Sequence, residues 1–258
     1  MLFLEKIIIS IFVDPNHNLF TLYYQKLLYS IAVTLFLTGL YTVSEMPFGA
    51  YVVHTMITSL IFTLVSFYIG CYKHKIAAII MLLFVVFDML TIFAEIQIII
   101  KIAIVVRATI FLLLCSLIVK KINVKARSYS MILIFSTIAL LNGYLVYLLI
   151  SSVDIHKFGF VNRAFFIIPS IIMIVMCVFS ANYNFNRFHL RSTLFLLATF
   201  CIAFADISMF CGYFLEFKYM FYLERFFTVS AFLTFVNYVM LENKKRAQNS
   251  VEKSVYYY

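Results

Sequence analysis

Ile76-Ala-Ala-Ile-Ile-Met-Leu-Leu-Phe-Val-Val-Phe-Asp88 and Leu194-Phe-Leu-Leu-Ala-Thr-Phe-Cys-Ile-Ala-Phe-Ala-Asp206 are long apolar runs, each ending in a carboxylate. Runs of this kind are built to face hydrocarbon, where a charge costs a few kcal/mol or more. An acid retained inside such a run faces a polar interior and marks function. Asp88 and Asp206 are therefore the first candidate catalytic residues, and their matching settings suggest one shared site.

The whole chain has the same character. Of its 258 residues, 65% are hydrophobic and only 12% charged, against about half and a quarter in soluble domains. The apolar runs are continuous rather than alternating, and there are only 6 Gly and 3 Pro. This predicts an all-α polytopic membrane protein and argues against a β-barrel. The net charge of +9 does not point to nucleic acid, because the basic residues sit in short loops between spans, where topology needs them. Trp is absent, so Tyr23, Tyr24, Tyr51, Tyr72, Tyr183 and Tyr222 supply the interfacial belt. The five Cys show no CxxC and no metal spacing and read as small buried hydrophobes.

A span needs about 20 apolar residues. Eight segments qualify: 21–43, 50–72, 75–94, 98–119, 129–150, 163–181, 193–215 and 221–241. The expected organisation is an interfacial N-terminal segment at 1–18, stopped by Asp14-Pro15-Asn16 and too short to be a span. An eight-helix transmembrane domain follows at 19–241, and a polar, mobile cytoplasmic tail at 242–258. Eight spans put both termini on one side. Fourteen of the 20 Lys and Arg then fall on that side and six on the other, which makes the termini cytoplasmic. Richness in Ile, Phe, Lys and Asn points to an AT-rich bacterial genome and hence a bacterial inner membrane.

Asp88 follows Lys75 by thirteen residues, and Asp206 follows Thr193 by thirteen. At about 1.5 Å per residue, both stand about 20 Å from the cytoplasmic edge. Arg107 follows Asp88 by nineteen residues and Arg225 follows Asp206 by nineteen, an echo that suggests a parallel four-plus-four repeat. Arg107 lies deep in the fourth span and is expected to pair with Asp88 or to hold an anionic headgroup. Arg225, Lys101, Glu224 and Glu95 lie nearer the outer surface, where snorkelling accounts for them. Asn142 and Asn237 are intramembrane amides whose simplest role is to join helices. His54 is read as structural. No HExxH and no Cys/His cluster is present, so neither metal nor cofactor is expected. A plain structural role for a buried Asp, capping backbone or fixing packing, stands beside the functional one.

These features resemble the YhhN-like lysoplasmalogenase family. The resemblance rests on eight compact spans, cytoplasmic termini, Val-Val-Phe-Asp88-Met-Leu in the third span and Ala-Phe-Ala-Asp206-Ile-Ser-Met-Phe-Cys-Gly-Tyr-Phe in the penultimate one. Phe235-Val-Asn237-Tyr238 in the last span matches imperfectly. Phe87 and Ala205 depart from the residues that precede the acids in that family, and Arg107 stands where its fourth span often carries a His. The resemblance implies hydrolysis of the vinyl ether of a lysoplasmalogen to a fatty aldehyde and a glycerophospho-alcohol. One Asp would protonate the alkenyl carbon, and the other would stabilise the cation and activate water. If Arg107 lies beside Asp88, Asp88 stays ionised and Asp206 is the acid; the sequence leaves this undecided. Arg107, Asn142 and Tyr213 are the expected substrate contacts, and the expected partners are a lysolipid substrate and membrane lipids. Two other readings remain open: a lipid-binding or sensory membrane protein, and a small proton-coupled transporter.

Overall fold

The computed structural model describes residues 19–119, 121 and 160–255, with scattered positions between 137 and 151. Seven α-helices are described: α1 (Leu19–Glu45), α2 (Phe48–Tyr68), α3 (Lys75–Ile92), α4 (Gln97–Val119), α5 (Phe160–Arg187), α6 (Leu190–Phe214) and α7 (Met220–Val255). No strand occurs among the described residues. Six helices, α1 to α6, are long and apolar enough to cross a membrane. This makes the chain a multi-pass membrane protein by length and composition. The expected fifth span, 129–150, lies largely outside the described residues, as does the segment 1–18. The expected eighth, 221–241, is helical within α7 but is not among the six, because Glu224, Arg225 and Asn237 interrupt its apolar run.

The helices form a closed ring. Each of α1 to α6 packs on the next, and α7 returns to pack on α1; α7 also reaches across to α2. Where links are short, sequence forces the neighbours. Residues 93–96 join α3 to α4 through the turn bonds Phe93 N–H to Leu90 O and Ile96 N–H to Phe93 O, both 3.1 Å. Gly70, at φ +95, lets the chain reverse between α2 and α3; a side chain there is strained. The Asn243 amide donates to the Gly70 carbonyl at 3.1 Å, tying α7 to this turn.

Large apolar side chains cover the outside, with Leu64, Ile98 and Leu112 more than half exposed. Water drives little association between helices in lipid, so close packing and polar contacts must hold the ring. Phe232 supplies packing from α7, stacked on Phe62 at 5.2 Å and edge-on to Phe84 at 5.1 Å. The Thr63 hydroxyl donates to its own helix at Ser59 O and to Met81 O of α3. Ser180 and Thr199 join α5 to α6 at 2.5 Å. Asn237 donates instead to Leu233 O within its own helix.

The segment after residue 241, expected as a polar tail, is helical as part of α7. The helix continues without a break through Val255. Glu242 is buried at the start of this extension and accepts hydrogen bonds from Lys121 at 2.7 Å and Arg191 at 3.4 Å. The Lys121 ammonium also donates to the Tyr238 hydroxyl at 3.2 Å. A buried acid held by two cations anchors the helix where it leaves the bundle.

Candidate functional site

Inside the ring lies a cavity of about 250 Å³ lined from every described helix except α1. Asp88 from α3, Arg107 from α4, and Asp206 and Tyr213 from α6 all line it. Four of the five expected site residues thus meet in one place. Asn142 lies outside the described residues, although nearby Val146 reaches the cavity. The cavity nears the surface where α2 begins and α6 ends, at Phe48 and Tyr213, whose rings are 5.9 Å apart. These helix ends lie opposite the Glu242 anchor.

Arg107 does not pair with Asp88. Its guanidinium forks onto Asp206 across the ring: Nε donates to Oδ2 at 2.9 Å, and a second N–H donates to Oδ1. Two parallel charge-assisted bonds are the strongest form of this contact. Phe84, Phe87 and Phe111 surround the same guanidinium at 5.0, 4.8 and 5.4 Å, so ring faces add to its stabilisation. Sequence spacing favoured the neighbour across the α3–α4 hairpin. Tertiary packing instead brings α6 to the end of the guanidinium.

Asp88 is only 6% exposed. Among the described residues it forms no ion pair; the Ser59 hydroxyl of α2 is its polar neighbour. The two aspartates therefore share a cavity and differ in kind. Asp206 is bound on both oxygens by a cation, while Asp88 faces the cavity without one.

The largest correction concerns Arg225 and Glu224. Both were expected at the outer interface, yet Arg225 is fully buried and Glu224 is 4% exposed. Arg225 donates to Glu224 through Nε at 2.5 Å and through Nη2 at 2.8 Å, and to Thr55 at 2.7 Å. Glu224 also accepts from Tyr51 and Thr228, each at 2.7 Å. The His54 ring lies 3.4 Å from Arg225 and 2.9 Å from the Thr38 hydroxyl. The network joins α1, α2 and α7 and leaves both Glu224 oxygens satisfied, which an unpaired buried charge could not tolerate. Gly39 makes room for it, since a Cβ there would lie 3.0 Å from Arg225. One sequence signal could have revealed the burial. Positions 221, 224, 228, 231 and 235 form a helical stripe, and all of them line the cavity.

Among the described residues, no group of three His, Cys, Asp or Glu could hold a metal ion. The five Cys are free thiols. Ring and cavity together define a helical membrane protein with an internal, charge-bearing pocket walled mainly by aliphatic and aromatic side chains. No family model, curated protein or solved structure matches the chain.

Proposed function

We propose that the chain is an eight-span membrane hydrolase that cleaves the vinyl ether of a lysoplasmalogen-type lysolipid by acid–base chemistry of Asp88 and Asp206. The observation that carries this reading is the unequal setting of two carboxyl groups on one apolar cavity. Asp206, forked by Arg107, suits the ionised partner. Asp88, with a hydroxyl beside it and no cation bound, suits the group that carries the proton. Pairs of acids in opposed environments divide acid and base roles in this way.

Asp88 would donate its proton to the alkenyl carbon remote from oxygen, forming an oxocarbenium ion. Asp206 would stabilise that cation and take a proton from the attacking water. The resulting hemiacetal then collapses to the fatty aldehyde and releases the glycerophospho-alcohol, whose oxygen takes up a proton. Tyr213 stands near the cavity mouth, where the alkenyl chain or headgroup would pass. Arg107 acts here chiefly by orienting Asp206. The resemblance to the YhhN-like family supplies the substrate class; the cavity supplies the division of labour. In this reading the termini are cytoplasmic and the membrane is a bacterial inner membrane. The α3–α4 and α6–α7 hairpins are equivalent parts of a four-plus-four repeat; Arg107 forks onto Asp206, and both Arg107 and Arg225 lie in electrostatic range of Asp88.

The test is fatty aldehyde release from lysoplasmalogen by the purified chain beside Asp88→Asn and Asp206→Asn. Aldehyde from the parent and none from either variant supports the proposal. No aldehyde from folded parent protein sinks it.

A second reading is a ligand-sensing membrane module. One observation favours it: α7 lines the cavity through Glu224, Thr228 and Phe232 and then runs unbroken through Val255. A single continuous helix thus joins the pocket to residues well past it in sequence.

A further inference from the structure

The charges around the cavity do not balance. Asp88, Asp206 and Glu224 contribute three carboxyl groups to its wall. Arg107, also on the wall, and the fully buried Arg225 supply two guanidiniums, each committed to one carboxylate: Arg107 to Asp206 and Arg225 to Glu224. Asp88 is left over, more than nine-tenths buried and lining the cavity. A buried carboxylate without a cation is costly, so a proton or a cationic ligand must complete the set.

The surroundings select the kind of cation. A hard metal ion needs about six or more oxygen ligands, and the cavity wall is mainly hydrocarbon and aromatic rings. Phe48, Phe210, Tyr213, Phe221 and Phe235 line it, and no cation stands over these five rings among the described residues. Ring faces beside a lone carboxylate are suited to an alkylated ammonium, which is weakly hydrated and attracted to both. The apolar remainder of the space fits a chain, and a single-chain amphiphile dissolved in the membrane can reach it.

We propose that the cavity binds the ammonium head of a single-chain cationic amphiphile, seated between Asp88 and the aromatic wall. The site disfavours anionic heads, because both guanidiniums are already occupied. The inference goes beyond the hydrolase reading and does not require turnover, since a proton and an ammonium are alternative completions of the same charge set.

The test uses the full chain in nanodiscs and labelled dodecyltrimethylammonium, with partition into empty nanodiscs subtracted. The expected result is saturable binding that unlabelled dodecyltrimethylammonium displaces and that dodecanol displaces at least about tenfold less well. Asp88→Asn, checked for unchanged helix content, should weaken binding by a similar factor. Equal displacement by the alcohol overturns the proposal with the native protein alone, as does uptake no greater than in empty nanodiscs. Aldehyde release on the same preparations separates the two readings. Selective binding without aldehyde supports the cation site and sinks the hydrolase; aldehyde without selective binding does the reverse.

Discussion

Arg107 and Asp206 are 99 residues apart in sequence and form a two-pronged ion pair across the helix ring. The pair ties α4 to α6 and leaves Asp88, on the wall of the same cavity, outside any ion pair among the described residues. Its side chains are 11% and 22% exposed, so solvent screens it little and each partner depends on the other.

Removing one member should therefore destabilise the fold more than removing both. Arg107→Met alone leaves Asp206 uncompensated and is expected to cost about 3 kcal/mol. Arg107→Met with Asp206→Leu should recover most of that loss. Thermal unfolding of the four proteins in one detergent completes the double-mutant cycle; additive losses would show that the two side chains are not coupled.

Arg225 tests a different property. It donates to Glu224 and Thr55 at full burial, a fork that a lysine ammonium cannot reproduce. Arg225→Lys should lower stability by about 3 kcal/mol despite keeping the charge. The check is denaturation midpoint and monodispersity on gel filtration. Wild-type behaviour would mean that charge alone suffices there.

Three glycines give a graded steric test. A Cβ at Gly212 would sit 2.8 Å from the Phe221 ring, whereas one at Gly49 meets nothing within 4 Å. Gly212→Ala should cost about 1–3 kcal/mol by overpacking and tilt the start of α7 away from the cavity. Gly49→Ala should be neutral or slightly stabilising. Gly39→Ala, at 3.0 Å from Arg225, should fall between them. Melting temperatures in that order would match the packing.

Cys71 lies in the turn between α2 and α3, outside the spans, and is 3% exposed. Burial pushes its thiol up to about 11 from an ordinary 9.0, with the Ser66 hydroxyl opposing weakly. Below pH 9 the thiol is neutral in both folded and unfolded chains, and its contribution to stability is fully present. Between pH 9 and about 11 the unfolded thiol ionises first, so that contribution is lost as pH rises. Maleimide at pH 7 should label Cys71 slowly in the folded protein and quickly after denaturation, read by mass spectrometry of the peptide carrying it. Fast labelling of the folded chain would refute the burial.

Some of this architecture is written in composition and period. Apolar runs such as 76–87 and 194–205 must become helices because lipid offers the backbone no partner, and six of the expected spans appear as apolar helices at nearly their expected places. Asp88, Arg107, Asp206 and Tyr213 could be picked from the sequence because each is a polar group, or a polar-tipped ring, inside or at the end of such a run. Partner choice could not be read there. Arg107 had Asp88 within one hairpin and closes on Asp206 instead, because its guanidinium reaches across the ring to α6. Arg225 and Glu224, near a helix start, resemble snorkelling interface residues until Tyr51, Thr55 and Thr228 are seen to surround them. Hydropathy fixes which segments enter the membrane; only the three-dimensional packing of those segments decides which buried charges meet and which one is left facing the cavity.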